Sequence, residues 1–411
     1  MKKSPVKGTN DYLPNQTALR NYMENSILTS YKNYGFERIT TPILEDAENL
    51  DKSDGGENLN LIFHILKRGE KLASALKNGS QKDISDMGLR YDLTLPLSRF
   101  YANNKEKLVL PFKCIQIDKV YRAERPQKGR LRELIQCDLD IIGSNSIHCE
   151  IELIDATAKA LLKLGLKDFI IKVNDRRILN EIISQCGFDS IDIPSICITF
   201  DKYDKIGIDG ISKELISKNF PEDSVKYFCD FLESFPITLD TIKNYCKNYQ
   251  AIDDLIKIIE ISSELSKNEY EVEFDLSLVR GQGYYTGPVF EIKSKDFNSS
   301  IGGGGRYDGL IGKFIGENVP AVGFSIGFER IYCMLLESNY SIPDKRKKIA
   351  IIYNRNDFIS ATAAANQLRL IYDVSLFEET KKLNKLISSL ENNGYYGFIN
   401  LSTTQELKTF L

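Results

Sequence analysis

The spacing of apolar residues changes repeatedly along the chain between a helical and an extended pattern. Leu19, Met23 and Ile27 recur at the spacing of an amphipathic helix, and Gly35 is expected to end that helix. The next segment, FERITTPIL (36–44), predicts a strand that Pro42 interrupts. Because proline is confined to the edges and ends of strands, this strand is expected at a sheet margin or at a subunit contact.

Two longer extended runs, residues 107–123 and 134–143, are joined by the charged loop 124–133 and predict a hairpin with a long tip. A helix is predicted at 148–165. From about 175 to 265 the pattern becomes helical, acidic and lysine-rich, which is typical of an insertion. Before the hairpin, the composition is loop-like around residues 51–60 and 76–83.

Strand signals return at 271–292, and two glycine-containing segments, 299–314 and 318–337, each lead into a helix. Residues 336–346 have the composition of a linker. Beyond it, the runs IAIIYN, DVSLFE and YYGFINL predict three strands, separated by helices at about 357–370 and 380–391. That alternation predicts a small α/β domain at 347–411.

Length and composition narrow the class of protein. A chain of 411 residues is expected to form two or three domains, and 42% apolar with 27% charged residues is typical of a soluble globular protein. No apolar run reaches the length of a membrane span, so we expect a cytoplasmic protein without a membrane partner. The net charge of −3 argues against a uniformly basic surface for nucleic acid, although it leaves room for a local basic patch.

Cysteine and histidine usage restricts the chemistry further. The eight cysteines form no CxxC pair, so the pattern predicts neither a zinc site nor a disulfide framework, and we expect no metal site built from protein side chains. His64 and His148 are the only histidines, and both lie in segments where a structural role is expected. The reaction is therefore not expected to depend on an imidazole of the protein.

Three arginines on separate segments are candidates for binding phosphate. Arg280 lies in LVRGQGYYTGPVFEI (278–292) beside apolar residues, where a guanidinium needs an anion to remain charged. Arg122 alternates with apolar residues on the first strand of the hairpin, and Arg330 begins a helix. Guanidinium groups suit bidentate contact with phosphate. The alternative for the charged hairpin tip is an ordinary solvated face.

Two further patterns have chemical meaning. Gln136, Asp138 and Asp140 share one parity on the second hairpin strand, so all three project to the same face. That face is either buried, which requires a cationic or hydrogen-bond-donating ligand, or exposed to water. The segment GGGGRYDG (302–309) matches neither GxxxxGK[ST] nor GxGxxG before a helix, so we interpret its glycines as allowing the strand to pass close to a ligand.

These blocks, in this order, resemble the histidyl-tRNA synthetase family of the class II aminoacyl-tRNA synthetases. FERITTPIL resembles the first class motif, VYRAERPQKGRLRELIQCDLDIIG the second and AVGFSIGFER the third. LVRGQGYYTG and GGGRYDGL are similar to the two signatures of the histidine enzymes, and VKGTNDYLP and LRYDLTLPLSRF match further family segments. The resemblance covers residues 1–335 almost throughout.

The resemblance implies an α+β fold, in which helices flank an antiparallel class II sheet. It implies a catalytic domain at 1–335 with a helical insertion at about 175–265, a linker at 336–346, and a shortened anticodon-binding-like α/β domain at 347–411. It also implies a homodimer. The expected reaction joins L-histidine to ATP, with Mg²⁺, to give histidyl-adenylate and pyrophosphate, and then transfers histidine to the 3′ end of histidine tRNA.

The resemblance also implies a role for individual residues. The groups expected to bind ATP are Arg122, Glu124, Arg130 and Arg330, and those expected to act at the reacting phosphate are Arg122 and Arg280. The groups expected to bind histidine are Asp92, Gln136, Asp140, Tyr284, Tyr285 and Tyr307. Arg125 and Gln127 are candidates for contact with the tRNA acceptor end, solvated loop residues being the alternative.

The chain departs from the family pattern at two positions of the site. Gly283 stands where the family has an aspartate, which predicts a changed orientation of Arg280, and Leu134 replaces an aromatic residue that stacks on adenine. The alternative function is the histidine-sensing regulatory subunit of ATP phosphoribosyltransferase, which shares the catalytic fold. The presence of Arg122, Arg280 and Arg330 favours the enzyme.

Overall fold

The computed structural model describes residues 1–51, 60–77, 84–127, 129–234, 237–280, 283–295 and 300–410. The chain divides into two compact units, Met1–Asn339 and Tyr340–Leu411. The strands of the larger unit are β1 (Glu37–Arg38), β2 (Leu44–Asp46), β3 (Phe63–Leu66), β4 (Ser85–Leu89), β5 (Phe112–Tyr121), β6 (Glu133–Ile142), β7 (Phe169–Asp175), β8 (Glu271–Phe274), β9 (Pro288–Ser294), β10 (Ser300–Arg306) and β11 (Ala321–Gly327).

Helices surround these strands. Those of the larger unit are α1 (Pro14–Asn33), α2 (Ala47–Asp51), α3 (Gly69–Lys77), α4 (Thr94–Asn104), α5 (His148–Lys163), α6 (Arg176–Gln185), α7 (Ile193–Phe200), α8 (Tyr203–Ser217), α9 (Glu222–Glu233), α10 (Leu239–Lys243), α11 (Tyr249–Ser266), α12 (Gly312–Ile315) and α13 (Phe328–Glu337). None of the helices in the described ranges is both long enough and apolar enough to pass through a membrane.

The larger unit is built on an eight-stranded sheet in the order β1-β5-β6-β11-β10-β9-β7-β8. The strands from β5 to β7 are antiparallel to their neighbours, and the outermost pairs, β1 with β5 and β7 with β8, are parallel. Helix α5 contacts β6 and β11, and α1 and α11 pack against α5. Helices thus flank a largely antiparallel sheet, as the fold prediction requires.

The predicted hairpin is present. Strands β5 and β6 pair without a break from Phe112 opposite Ile142 to Tyr121 opposite Glu133. On β6, Cys137, Leu139 and Ile141 are fully buried and alternate with the polar residues that the sequence places on the other face. This alternation fixes the register, because a slip of one residue would bring the polar set into the helix-covered core.

The interruption at Pro42 and the margin position predicted for segment 36–44 are confirmed, but the prediction of one strand in one sheet is wrong. The segment forms two short strands in different sheets: β1 pairs with β5 at the edge of the central sheet, and β2 pairs with β4 in a three-stranded sheet of order β2-β4-β3. Pro42, which has no N–H to donate to a ladder, lies between them. Of the two stretches with a loop-like composition, residues 52–59 and 78–83 lie outside the described residues.

Between the parallel neighbours β7 and β8, all the regular structure in the described residues is helical, from α6 to α11. Helix α6 begins directly after β7, where the carboxylate of Asp175 accepts a hydrogen bond from the backbone N–H of Arg177. This N-cap satisfies one of the free donors at the start of the helix. The long helical stretch therefore connects strands that lie side by side at one edge of the sheet.

In its described residues, the smaller unit contains four strands and two α-helices: β12 (Lys348–Tyr353), α14 (Phe358–Leu368), β13 (Asp373–Glu378), α15 (Leu383–Asn392), β14 (Gly397–Asn400) and β15 (Thr404–Thr409). Its sheet order is β13-β12-β14-β15, and β12 is parallel to both of its neighbours. The three strands and two helices predicted here are present. The fourth strand, β15, runs antiparallel to β14 and was not predicted, because TQELKT has almost no apolar residues to show an alternation.

Candidate active site

A cavity of about 820 Å³ lies over the middle of the central sheet. It collects side chains from β6, β9, β10 and β11, from the segment before β9, from the start of α13 and from the hairpin tip. Its lining includes these residues singled out from the sequence: Asp92, Arg122, Glu124, Arg130, Gln136, Asp140, Arg280, Tyr284, Tyr285, Tyr307 and Arg330. Arg125 and Gln127 are exposed and do not belong to the lining.

Glycines form the floor of this cavity because other side chains of the site occupy the space above them. A Cβ atom added at Gly303 would lie 2.5 Å from Cζ of Arg280, and one at Gly323 would lie 2.0 Å from Oδ1 of Asp140. The close approach of segment 302–309 to a ligand stays a prediction. The structure adds that Gly303 of this segment leaves room for Arg280, and that Gly323, on β11, leaves room for the carboxylate of Asp140.

Arginines cluster in one part of the cavity, called here its arginine end: the charges of Arg130 and Arg280 act on Arg330, while Arg122 also acts on the carboxylates of Asp92 and Asp138. The guanidinium of Arg280 donates to Oε2 of Glu291 at 2.9 Å, and Arg122 donates to the carbonyl of Tyr91 at 2.9 Å and to the amide oxygen of Gln136 at 3.3 Å. Arg330 donates to the carbonyl of Ser300.

The pKa of Arg330 is lowered, first by burial and then by the positive charges of Arg130 and Arg280. The carboxylates of Glu291 and Glu124 offset these like charges only in part, since the pKa of Arg330 stays lowered, so a further anion bound here would be stabilised. The arginine end of the cavity is therefore suited to a ligand that carries several negative charges, such as a polyphosphate.

The hairpin tip packs against the arginine end of the cavity. Glu124 forms an ion pair with Arg130 at 3.0 Å, and Gln127 and Arg130 exchange two backbone hydrogen bonds of 3.0 Å. Gly129 makes this turn with a φ of 69°, and a Cβ atom there would meet Cγ of Arg330 at 3.0 Å. The turn thus holds the hairpin tip close to the first residues of α13.

Carboxylates and tyrosines form the other end. The hydroxyl of Tyr307 donates to Oδ1 of Asp140 at 2.7 Å, whereas Oδ2 of Asp140 is buried without a hydrogen-bond partner among the described residues. The hydroxyl of Ser325 donates to Asp138 at 2.5 Å. The ring of Tyr284 packs edge-on against the rings of both Tyr285 and Tyr307.

Burial controls the protonation of these carboxylates. Burial raises the pKa of Asp140 to about 7, and it raises the pKa of Asp138 well above its ordinary value, with the neighbouring carboxylate adding to the shift. Burial also raises the pKa of Asp92, whose carboxylate accepts the backbone N–H of Leu95 at 3.2 Å. A carboxylate with an unused oxygen in such a place favours a ligand that donates N–H groups or carries positive charge.

The raised pKa of Asp140 predicts a pH-dependent stability. The folded protein binds this proton more tightly than the unfolded chain, so the free energy of unfolding contributed by Asp140 falls as pH rises from its ordinary value of 3.8 to about 7. Asp140→Asn replaces the carboxyl group by an amide that does not titrate, so the variant does not undergo this loss of stability. We expect the variant to gain more in Tm relative to the unaltered protein at pH 8 than at pH 5, measured by thermal unfolding. An equal difference at both pH values would contradict the shift.

Glu291 and Asp138 are among the acidic residues of the cavity that were not assigned a role from the sequence. Glu291 on β9 lines the cavity and pairs with Arg280, and Asp138, recognised only by its parity, is hydrogen-bonded beside Asp140. A signal for Glu291 exists, since it is the single charged residue in PVFEI. Gly283 is exposed, and the carboxylate that orients Arg280 comes from β9. Leu134 lines the cavity at the position where the family has an aromatic residue.

A helix-flanked antiparallel sheet with arginines and buried carboxylates on one face is the catalytic architecture of the class II aminoacyl-tRNA synthetases. The family model described as "Histidyl-tRNA synthetase" matches residues 8–331. The chain belongs to the histidyl-tRNA synthetase family.

Relatives support this assignment along most of the chain. A histidine–tRNA ligase of Leifsonia xyli subsp. xyli is 40% identical over 372 residues, which are 85% of this chain and 84% of that protein. A histidine–tRNA ligase of Cytophaga hutchinsonii is 32% identical over 441 aligned positions, covering 99% of this chain and 97% of that protein.

Two solved structures share the fold. Histidyl-tRNA synthetase from Nostoc sp. PCC 7120 has a TM-score of 0.79 at 24% identity and covers 98% of this chain and 92% of its own. A protein from Bacillus halodurans, titled "ATP phosphoribosyltransferase regulatory subunit/histidyl-tRNA synthetase", has a TM-score of 0.77 at 20% identity and covers 97% and 98%. At these identities the likeness concerns the fold alone.

Proposed function

We propose that this protein is a histidine–tRNA ligase. It activates L-histidine with ATP to histidyl-adenylate and pyrophosphate, and then transfers histidine to the 3′ end of histidine tRNA. The observation that carries the proposal is that Arg122, Arg280 and Arg330, from three distant parts of the chain, line the same cavity as the buried carboxylates Asp138 and Asp140. One end of that cavity suits a polyphosphate and the other suits a ligand with N–H donors.

At the arginine end, the side chains position ATP. Arg122 and Arg280 hold the α-phosphate, Arg280 also reaches the carboxylate of histidine, and Arg330 with Arg130 holds the outer phosphates. Glu124 lies near the adenine. Mg²⁺ arrives on the phosphates of ATP, as part of that substrate.

The reaction needs positioning and charge stabilisation more than covalent help. A carboxylate oxygen of histidine bonds to the α-phosphorus, and the bond from phosphorus to the pyrophosphate oxygen breaks in line with it. The terminal ribose hydroxyl of tRNA then attacks the carbonyl carbon, and AMP leaves. His64 and His148 are not part of the cavity lining, consistent with a reaction that uses no imidazole of the protein.

At the carboxylate end, the side chains select histidine. Oδ2 of Asp140 accepts an imidazole N–H, because Oδ1 is already engaged by the hydroxyl of Tyr307. Tyr284 and Tyr285 enclose the ring, and Asp92 and Gln136 hold the amino group. An analogue without imidazole N–H groups would leave buried acceptors unpaired, so discrimination against it should be strong.

We assign other surfaces of the molecule to the binding of tRNA and to contact with a second copy of the chain. Arg125 and Gln127 are exposed at the hairpin tip, where they can contact the acceptor end, and residues 347–411 are assigned to the anticodon. The three-stranded sheet exposes Leu44, Leu66 and Met87. An apolar surface of this kind fits the interface of a homodimer. We place the protein in the cytoplasm.

Histidine-dependent exchange between ATP and pyrophosphate tests the proposed function. We expect exchange that requires histidine and does not require tRNA, followed by aminoacylation when histidine tRNA is added. The regulatory subunit of ATP phosphoribosyltransferase, the alternative, would bind histidine without exchange. Histidine binding measured by calorimetry, together with no exchange, would therefore overturn the proposal in favour of that alternative.

A further inference from the structure

The segment before Arg280 holds this arginine in an unusual conformation. The φ of Arg280 is 61°, in the left-handed region that residues other than glycine rarely adopt. Such a conformation persists only where the surroundings hold it, and it is concentrated at functional sites. Glu291 contacts the guanidinium, and the carboxylate of Asp201 accepts the backbone N–H of Arg280 itself. Further groups must hold the backbone of the residues that lead to Arg280.

Asn174, at the end of β7, holds the middle of this segment. Its side chain is fully buried, and its amide nitrogen donates to the carbonyl of Leu276 at 3.0 Å and to the carbonyl of Leu278 at 2.9 Å. The two N–H groups of this amide thus donate to two carbonyls of a single turn. That arrangement fixes the direction in which the chain enters Arg280.

Arg176, two residues further on, holds the end of the segment. Its guanidinium donates to the carbonyl of Val279 at 3.3 Å, and its backbone N–H donates to the carbonyl of Gly287 at 3.0 Å. Arg176 is buried, and within the part of the chain that the structure describes it forms no ion pair with a carboxylate. An apolar residue would be less costly for the fold at such a position, so the guanidinium points to a task at the Val279 carbonyl.

We propose that Asn174 and Arg176 are positioning residues for Arg280: they fix the backbone of residues 276–279 so that its guanidinium faces the reacting phosphate. This inference rests on the proposed function. Neither residue lines the cavity, so neither touches ATP or histidine. Their contribution passes entirely through the placement of Arg280, and a misplacement of about 1 Å can cost on the order of 10²-fold in rate.

Asn174→Asp and Arg176→Met test the inference in ATP–pyrophosphate exchange. Each is expected to lower kcat by roughly 10- to 100-fold, with the KM for histidine within about twofold of its original value. Arg176→Lys, which can still donate to Val279, should recover most of the loss. Asn180→Asp and Arg177→Lys are the matched controls. Asn180 contacts Cys197, and Arg177 pairs with Asp175 and Asp254, so neither substitution should change kcat.

The decisive measurement combines each substitution with Arg280→Ala. Residues that act through Arg280 should cause little further loss once its guanidinium is gone, because coupled effects are not additive. The same loss in both backgrounds would overturn the inference and leave the proposed function standing. An unaltered protein without exchange would overturn both. If Asn174→Asp fails to fold, as judged by Tm, Arg176→Met and Arg176→Lys give the same answer.

Discussion

Replacing Arg280 by alanine is expected to lower kcat for histidine-dependent pyrophosphate exchange by roughly 10²–10³-fold. The oxygens of the α-phosphate gain negative charge as the carboxylate attacks, and in the proposed role Arg280 is the cation that faces them; Gly303 leaves room for this arginine and Glu291 orients it. Removing a preorganised group of this kind raises the barrier for the reaction more than it weakens substrate binding. The KM for histidine should therefore change far less than kcat.

Two further variants make this result interpretable. Arg280→Lys keeps the positive charge but loses the planar fork, so it should recover only part of the rate. Arg38→Ala removes an arginine of β1 that pairs with Glu24 outside the cavity, and its exchange rate should match that of the unaltered protein. Unchanged kcat in Arg280→Ala would refute the role of this arginine.

Replacing Asp140 by alanine is expected to lower kcat/KM for histidine by roughly 10- to 100-fold, the value of one hydrogen bond to a charged group. In the proposed site, the buried Oδ2 of Asp140, which has no hydrogen-bond partner among the described residues, accepts the imidazole N–H. The proposal places ATP at the arginine end of the cavity, so the KM for ATP should stay close to its original value. Steady-state exchange kinetics with each substrate varied in turn separate the two effects.

The pH dependence supplies an independent check on Asp140. With a pKa of about 7, Asp140 becomes neutral as the pH falls below that value and accepts the imidazole N–H less strongly. The ratio of kcat/KM between the unaltered protein and Asp140→Ala should therefore fall on acidification from pH 8 to pH 6, and the titration of histidine itself cancels in that ratio. A ratio that rises or stays constant would contradict this role.

Strongly patterned segments were the predictable part of the fold. The alternation along 107–123 and 134–143 gave the β5–β6 hairpin, and helical spacing gave α1 and α5. Segment 36–44 was assigned to one sheet because each of its two short edge strands has too few residues to show an alternation of its own. The structure places β1 and β2 in different sheets through pairings with β5 and β4, which are distant in sequence.

Some features of the candidate site were likewise predictable from the sequence and others were not. Arg280 was predictable from an arginine among apolar residues and glycines, and Gln136 and Asp140 from their parity on one strand. The pairing of Arg280 with Glu291 was not predictable, because it depends on the strand register that sets Gly303 opposite Glu291. The roles of Asn174 and Arg176 depend likewise on β7 and β8 lying side by side, which sequence spacing does not reveal.

The glycine floor bears on any attempt to change the amino acid that the enzyme accepts. A methyl group at Gly305 would lie 2.7 Å from the carbonyl oxygen of Pro288 and 2.9 Å from Cδ1 of Tyr285, and one at Gly323 would collide with Oδ1 of Asp140, so β10 and β11 cannot be redesigned one residue at a time. In the proposed site, room for a bulkier amino acid must come instead from the wall formed by the side chains of Tyr284 and Tyr285. A laboratory-evolved variant with an enlarged substrate range should therefore carry its changes in that wall and keep every glycine beneath it.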